Sequence, residues 1–563
     1  MIGNLIYLLK TKLIAKILAI IVAAGIAVPT GVGIANTVTH NSENMQENVE
    51  TGILPENEGQ ASHSKPGNAT EPGIVSETNN NPSAYSENTF SGEDVYSDGA
   101  EYVSYNSGEN ALLITDGTST IVNAKIYKSG DSNGEDADFY GTNAAVLVTG
   151  GLLNILNSSV ETSGAHANAV FAYGNGVIDI SDSTITTSAN NSGAIMVTGG
   201  GTLTATNVNA VTYGNSSAPI RSDRGGGTMT VNGGEYISNG VGSPAIYSTS
   251  NVTVNNASLI SNASEGIVIE GSNSVYLNGT SLVDTNNTLN GQSTTYKNIF
   301  IYQSMSGDAA NGTGIFSANG SNIVTNVGDI FYVTNTSAYI ELSSNIFTNN
   351  SGGAFLRAEA GPWGTGGSNG ADVTLKTSGQ NFGGDVVVDN ISTLKMALRD
   401  SSNYTGVING ANTAKSVDLS LSANSTITLT GNTYVTSFAD EDATLSNINF
   451  NGYSLYVNGT AVNSSNASSL METYTETVAV PEQTSSDMMP QMGQGPAGNM
   501  GQNGMQENPI GNMGDMQNGS LEGQSGFQPG PPGGQSSGQV GGPPSNQNSF
   551  ENTAGGPPSM PGR

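Results

Sequence analysis

The chain has 563 residues, of which 75 are glycine, while charged residues make up only 11 % and aromatic residues 6 %. An ordinary globular surface is about one quarter charged, so this composition excludes a helical bundle and favours repetitive β structure covered by small neutral polar side chains. The net charge of −31 leaves no basic surface for a phosphate backbone, which argues against nucleic-acid binding. Because the chain has no cysteine, it forms neither disulfides nor thiolate metal sites.

The N-terminal segment, residues 1–36, is hydrophobic. Three lysines within the first 16 residues precede an apolar run at 17–28, and a second short apolar stretch follows it. The lysines predict that the chain after residue 36 lies outside the cell. Two interpretations stay open, a signal peptide cleaved after Ala35 and a retained membrane anchor. Both give an extracellular or cell-surface protein that touches a membrane only through this segment.

Two further segments have the composition of disordered chain. Residues 37–88 form an acidic linker rich in Asn, Glu, Ser, Pro and Gly, with almost no apolar side chains. Residues 468–563 form a tail rich in Gly, Met, Gln and Pro that has no apolar period. Neither segment can bury enough apolar surface to offset its conformational entropy, so both are predicted to be disordered.

The middle of the chain, residues 89–467, is a repeat. Ala144, Ala169 and Ala194 each open a short apolar core strand, and they are spaced 25 residues apart. In each repeat a second strand of alternating apolar and polar residues follows, and then a third, shorter element. Three short strands per repeat, with Asn and Gly at the bends, predict one coil of a right-handed parallel β-helix. We therefore expect an all-β chain with one solenoid of about 14 coils, present as a monomer.

Six stretches of this region carry a resemblance to a known family: 128–132, 138–149, 221–228, 242–249, 302–309 and 331–336. Over about residues 100–462 the chain resembles the pectate-lyase-like superfamily of right-handed β-helices. Within that superfamily it looks most like bacterial cell-surface β-helix proteins described as carbohydrate-binding. The resemblance implies binding of an acidic or cellulosic plant polysaccharide together with Ca²⁺, and it supplies no catalytic residue set to transfer.

The sequence carries little sign of catalysis. A lyase of this fold needs a basic side chain that removes a proton beside Ca²⁺, and a hydrolase needs two or three close carboxylates. The paired-aspartate, Gly-His-Gly and Arg-Ile-Lys signatures of polygalacturonases do not occur in the chain. His166, the one histidine of the repeat region, lies in a predicted turn, where an exposed side chain is expected. We expect a non-catalytic protein.

An acidic stretch between the first two predicted coils is the candidate metal site. It contains Asp131, Glu135, Asp136 and Asp138 around a glycine. Oxygen ligands on a glycine-bearing loop suit Ca²⁺, which is the one cofactor we expect. A solvated acidic turn explains the same residues equally well, and both interpretations stay open.

Four long loops, 126–142, 284–298, 303–314 and 358–371, predict the position of a ligand face. Turns of the same phase stack on the same edge of a solenoid, so these loops should form two ridges beside the face built by the core strands. The candidate glycan-binding residues on and beside that face are Arg221, Asp223, Arg224, Tyr247, Tyr302, Arg357 and Trp363. Arginines pair with sugar carboxylates and aromatic rings stack on sugars. The alternatives are a structural ion pair at a turn and aromatic rings that merely cover apolar edges.

Three functions are compatible with the sequence. The preferred one is a secreted or surface-anchored, non-catalytic protein that binds a polysaccharide or mediates adhesion. The second is a Ca²⁺-dependent lyase acting on acidic plant glycans, which requires a base beside the acidic stretch. The third is a structural stalk.

Overall fold

The computed structural model describes residues 84–481, apart from residues 93 and 133. In this part of the chain the backbone winds into a right-handed parallel β-solenoid of about 15 turns, which confirms the predicted fold class. The first turn, Thr89–Ser104, begins where the predicted repeat region begins, and the observed number of turns is close to the predicted 14. The predictions for residues 1–36, for most of 37–88 and for 482–563 fall outside the described residues. No helix within the described part is long and apolar enough to cross a membrane.

Each turn of the solenoid contributes a strand to up to three parallel sheets, called here the first, second and third faces. The first face consists of β1 (Thr89–Phe90), β4 (Leu112–Ile114), β7 (Val146–Val148), β10 (Val170–Tyr173), β13 (Ile195–Thr198), β16 (Ile220–Ser222), β19 (Ile246–Ser248), β22 (Ile267–Glu270), β25 (Lys297–Tyr302), β28 (Asp329–Thr334), β31 (Leu356–Ala358) and β34 (Val386–Val388).

The second face runs the length of the solenoid. It consists of β2 (Val95–Asp98), β5 (Thr118–Val122), β8 (Leu152–Leu156), β11 (Val177–Ser181), β14 (Gly201–Thr206), β17 (Gly227–Asn232), β20 (Asn251–Asn255), β23 (Ser274–Asn278), β26 (Thr313–Asn319), β29 (Thr336–Ser343), β32 (Ala371–Ser378), β35 (Thr393–Arg399), β37 (Ser416–Leu421) and β40 (Ser437–Asp440).

The third face is built in two sections. The first section consists of β3 (Glu101–Ser104), β6 (Lys125–Lys128), β9 (Ser159–Thr162), β12 (Thr184–Thr187), β15 (Asn209–Thr212), β18 (Glu235–Ser238), β21 (Ser258–Ser261), β24 (Ser281–Asp284), β27 (Asn322–Thr325) and β30 (Ile346–Asn349). The second section consists of β33 (Asn381–Gly383), β36 (Asn403–Gly406), β38 (Thr426–Leu429) and β41 (Ile448–Asn449).

The alternating pattern of each strand forms the core. Ile178 of β11 lies in register between Leu153 and Leu203, and all three side chains are fully buried. The neighbouring positions on β11 point outward, because successive side chains of a strand alternate between its two faces. Each coil repeats this arrangement, so the inward rows join into one continuous apolar core. Burying such an aliphatic side chain contributes roughly 1.5–3 kcal/mol.

Asparagine shapes the bends between the second and third faces. Asn123, Asn157 and Asn207 adopt φ angles of 54°, 48° and 53°, the left-handed conformation that asparagine tolerates better than most residues. Their side chains also stack, because the amide of Asn157 donates to the side-chain oxygen of Asn123 at 2.5 Å. These amide ladders cover the surface with neutral hydrogen-bonding groups, which explains the low charge content.

The C-terminal end of the solenoid is covered by irregular chain. After the last parallel strands β39 (Thr433–Val435) and β42 (Leu455–Val457), the strand β43 (Thr460–Ala461) turns back antiparallel to β42. A short helix over Ala467–Leu470 follows, and the chain then runs past Arg399. The guanidinium of Arg399 donates to the carbonyl of Thr475 at 3.0 Å and lies 4.9 Å from the ring of Tyr474.

Candidate functional site

The outward side chains of the first face form a row that stays in register from coil to coil. The row consists of Leu113, Leu147, Phe171, Met196, Arg221, Tyr247, Val268, Phe300, Tyr332, Arg357 and Val387. The structure therefore places three of the predicted glycan-binding residues, Arg221, Tyr247 and Arg357, on one face. Most of the row is nevertheless buried, including Phe171 and Tyr332. The open face expected from the sequence is not seen, because the long loops fold onto the row instead of flanking it.

Helix α1 (Glu135–Tyr140), within the first long loop, covers the N-terminal part of the row. The hydroxyl of Thr198 donates to the carbonyl of Phe139 at 2.6 Å. The ring of Tyr140 lies 5.5 Å from that of Tyr173, which belongs to the first face. Gly141, at the end of the helix, has a φ of 72°, and a Cβ there would lie only 2.7 Å from Leu147. A glycine is therefore needed for the helix to lie this close to the face.

A charged cluster forms where α1 meets the face. We define it as His166, Asp138, Arg221, Asp223, Arg224 and Asp308. Asp138 accepts from His166 Nδ1 at 2.8 Å and lies 3.7 Å from the guanidinium of Arg221. Arg221 donates to Asp223 at 3.1 Å. Arg224 donates through Nε and Nη2 to Asp308 at 3.0 and 2.7 Å, and its guanidinium lies 3.9 Å from the ring centre of Phe139.

The charges of this cluster are strongly coupled. Burial raises the pKa of Asp223 to about 6; Arg221 opposes that shift and the carboxylate of Asp308 adds to it. Burial alone would lower the pKa of Arg221, but Asp138 and Asp223 outweigh burial and raise it. Arg221 therefore stays a cation at any ordinary pH. The cluster joins segments of the chain that are far apart in sequence, so it fixes α1 and the loop that carries Asp308 against the face.

The four acids proposed as a calcium site have separate environments. Asp131 accepts a hydrogen bond from the backbone of Ala165 at 2.8 Å, and Asp138 belongs to the charged cluster. Glu135 and Asp136 lie on the first turn of α1 and are exposed. Among the described residues no group of three or more His, Asp or Glu side chains is arranged to hold a metal ion. The four acids do not form a common ligand set, and Ca²⁺ binding stays a prediction.

Glu270 organises the middle of the first face. Its carboxylate accepts from the hydroxyl of Tyr247 at 2.6 Å, from that of Tyr302 at 3.2 Å and from the hydroxyl of Ser304. Glu270 is only 1 % exposed. Burial and the adjacent Glu270 carboxylate raise the pKa of both tyrosines well above the usual value, so their hydroxyls stay protonated as donors. Glu270 was not among the predicted site residues, although an acid on an outward row, in register with Tyr302, is a signal of such a site.

The aromatic patch, defined as Tyr247, Tyr302 and Trp363, lies above this carboxylate. All three side chains are half-buried. Trp363, from the fourth long loop, lies 5.2 Å from the ring of Tyr302 and 5.1 Å from Phe300. Tyr302 and Phe300 are stacked at 4.3 Å. The patch therefore brings together the three aromatic residues predicted for glycan binding, Tyr247, Tyr302 and Trp363, on a packed apolar base.

Two cationic side chains lie next to the aromatic patch, the buried Lys297 and the half-buried Arg357. Lys297 is fully buried, bonds to Glu265 at 2.9 Å and lies 4.4 Å from the ring centre of Phe300. Arg357, one position beyond Tyr332 in the row, bonds to Asp329 at 2.5 Å and to Glu359 at 3.3 Å. Both cations are thus already engaged by carboxylates of the protein.

A shallow groove of about 350 Å³ runs beside the loop of Trp363. Its lining is polar and includes Asn335, Ser368, Asp372, Thr393 and Lys415. The groove lies where the first face bends into the second, and it was not predicted from the sequence. Side chains from four coils form it, and no short motif brings them together.

The side chain of His166 is less exposed than the sequence predicts. It does lie in a turn, with a φ of 55°, but its side chain is half-buried. Nδ1 contacts Asp138, and Nε2 contacts the side-chain amide of Asn191 at 3.1 Å. Asp308 was also missed, since its partner Arg224 lies 84 residues away in sequence.

Comparison with known proteins found no matching family model, no similar curated protein and no similar solved structure.

Proposed function

We propose that this chain is a non-catalytic polysaccharide-binding protein that is exported and displayed outside the cell. The observation that carries the proposal is the half-buried aromatic patch of Tyr247, Tyr302 and Trp363, where the fourth long loop meets the first face, next to a polar groove. Aromatic rings beside a few convergent polar groups are typical of ligand sites. The likeness of the repeat to the pectate-lyase-like superfamily supports the same class of ligand, and the hydrophobic N-terminal segment supports export.

An elongated polymer suits this surface. Adjacent coils are separated by about 4.8 Å, the spacing of neighbouring strands. The patch extends over several coils, because Tyr247, Glu270 and Tyr302 come from three successive turns and Trp363 follows strand β31, two turns further along. A few consecutive sugar rings can therefore stack on the half-buried aromatic side chains, with hydroxyl groups in the neighbouring groove.

The geometry gives less support to the lyase alternative. A lyase base must release and accept a proton in the working pH range. Arg221 and Arg357 both have pKa values raised by the carboxylates that bind them, against the effect of burial. Both remain protonated, so neither can serve as the base of a lyase. The acidic stretch, meanwhile, brings no shared ligand set next to them.

The proposal is tested by measuring binding of a cellulose-derived hexasaccharide and of polygalacturonate to the full chain by calorimetry. We expect the double variant Trp363→Ala, Tyr302→Ala to bind at least about tenfold more weakly than the unchanged protein, a loss of about 1.4 kcal/mol. The matched control is Tyr96→Ala, which removes a tyrosine that is 70 % exposed on the second face.

The outcomes separate the three functions. Binding that weakens in the double variant and is unchanged in Tyr96→Ala supports the proposal. Release of unsaturated sugars from polygalacturonate in the presence of Ca²⁺ would instead support the lyase. A protein that binds neither polymer is better described as a stalk, and the proposal is then wrong.

A further inference from the structure

The charges on the first face restrict which polysaccharide it can bind. Four cationic side chains lie in the charged cluster and around the aromatic patch: Arg221, Arg224, Lys297 and Arg357. Each already contacts a carboxylate of the protein, at 3.1, 2.7, 2.9 and 2.5 Å respectively. None of these four is left without an acidic partner in the part of the chain that the structure describes.

Carboxyl groups outnumber these cations. The acidic side chains of the same surface are Asp138, Asp223, Glu265, Glu270, Asp308, Asp329 and Glu359. Seven carboxyl groups thus face four permanent cations, and the chain as a whole carries a net charge of −31. His166 contacts Asp138 as well.

The two routes by which an acidic polymer would bind are both weak here. Direct pairing needs an arginine with two parallel N–H groups to offer, and Arg224 already donates from Nε and Nη2 to Asp308. Bridging through Ca²⁺ needs carboxylates that converge, and the described acids do not form such a group. Like charges that meet without compensation repel, so a polyuronate approaching this face is disfavoured.

We infer that the first face binds an uncharged polysaccharide and discriminates against polymers that carry carboxylates. This inference rests on the proposed function and names its ligand class. Recognition then depends on ring stacking against the aromatic patch and on hydrogen bonds from hydroxyl groups to the polar groove. In the groove, the cation Lys415 and the carboxyl of Asp372 are both present, so neither sign dominates there.

The test compares a cellulose-derived hexasaccharide with hexagalacturonate, both with EDTA, at 20 mM and at 500 mM NaCl. We expect the neutral oligomer to bind at least tenfold more tightly at low salt, with little dependence on salt. Binding of the acidic oligomer should strengthen as salt screens the repulsion. Tighter binding of the acidic oligomer, weakening as salt rises, would overturn the inference while leaving the proposed function intact. If neither oligomer binds, the proposed function fails and the inference fails with it.

A double variant and a matched control separate the effect of the local charges from a general loss of folding. Asp308→Asn with Glu359→Gln removes two acidic partners and releases donors on Arg224 and Arg357. We expect hexagalacturonate to bind about fivefold more tightly to this variant, and the neutral oligomer to stay within about twofold. The control, Asp182→Asn with Glu161→Gln, makes the same change in net charge on the third face and the bend before it. An equal gain in the control would show that net charge alone decides, and would contradict the inference.

Discussion

Asp284 offers a quantitative test of how this solenoid buries polar groups. It ends strand β24 on the inward side of the third face, where the equivalent residues of the neighbouring coils are Ser261 and Thr325. It is fully buried, and neither carboxylate oxygen accepts a well-formed hydrogen bond. Burial raises the pKa of Asp284 to about 9, although the backbone amide of Asn286 and the charge of Lys297 oppose the shift.

The size of the effect follows from the proton balance. At pH 7 the folded protein holds Asp284 protonated, whereas the unfolded chain, with a pKa near 3.9, has it ionised. Folding must therefore take up a proton, which costs about 1.4 kcal/mol for each pH unit above 3.9, or about 4 kcal/mol at pH 7. The sign follows from the raised pKa of Asp284. Below pH 4 the aspartate is protonated in both states and folding incurs no such cost, so its stabilising contribution is fully present. That contribution is lost progressively as the pH rises toward 9.

Asp284→Asn removes this proton uptake. We expect the variant to be more stable than the unchanged protein at pH 8, and the difference to shrink toward zero at pH 4. Thermal unfolding at four pH values between 4 and 8.5 measures it. Stability of the unchanged protein that stays flat across this range, with the variant less stable throughout, would mean that Asp284 is ionised and paired, and would refute the reasoning.

Asp442 serves as the control with the opposite sign. Its carboxylate accepts four hydrogen bonds from Thr444 and Ser446, at 2.5 to 2.9 Å, and the bonds from the Ser446 and Thr444 hydroxyls are the main cause of its lowered pKa. Its contribution is therefore present at neutral pH and is lost as pH falls through the lowered value. Asp442→Asn should destabilise the protein at pH 7, and the loss should diminish in acid.

Three further predictions concern the face and its end. Arg221→Ala leaves Asp138 and Asp223 without their guanidinium partner and should lower the free energy of unfolding by about 3 kcal/mol at pH 7.5. The loss should be smaller at pH 5, where Asp223 is protonated, and an equal loss at both pH values would contradict this. Asp138→Asn should lower the melting temperature by several degrees while Asp136→Asn leaves it unchanged, because only Asp138 contacts His166 and Arg221; equal effects would mean that α1 is not fixed through Asp138. Arg399→Ala should make residues 472–481 more sensitive to limited proteolysis, since Arg399 holds the carbonyls of Thr475 and Glu476; unchanged cleavage rates would show that other contacts hold this segment.

The sequence was sufficient for the fold because its signal is local and repeated. Alternation in strands such as β11 and asparagine at bends such as Asn157 recur in each coil, so every repeat adds to the same prediction. The register of the strands along the first face was also predictable, and Arg221, Tyr247 and Arg357 do lie in one row.

The path of the long loops was not predictable. Whether Glu135–Tyr140 stays an extended acidic loop or closes into a helix over Phe171 depends on contacts with Thr198 and Arg224, which lie far along the chain. The same holds for Trp363, whose partners Phe300 and Tyr302 are about 60 residues away in sequence. Residue types indicated candidates for binding, but only the folded loops determine which charges are already neutralised.

The most direct test of the central claim is hydrogen-exchange footprinting of the full chain with a bound cellulose-derived hexasaccharide. A ligand on the first face should protect backbone amides in residues 302–308, which begin with Tyr302 of the aromatic patch, and in residues 361–371, which carry Trp363 and part of the groove lining. Exchange on the third face, around residues 209–212 and 235–238, should not change. Protection confined to the second or third face, or none at saturating ligand, would contradict the placement of the site on the first face.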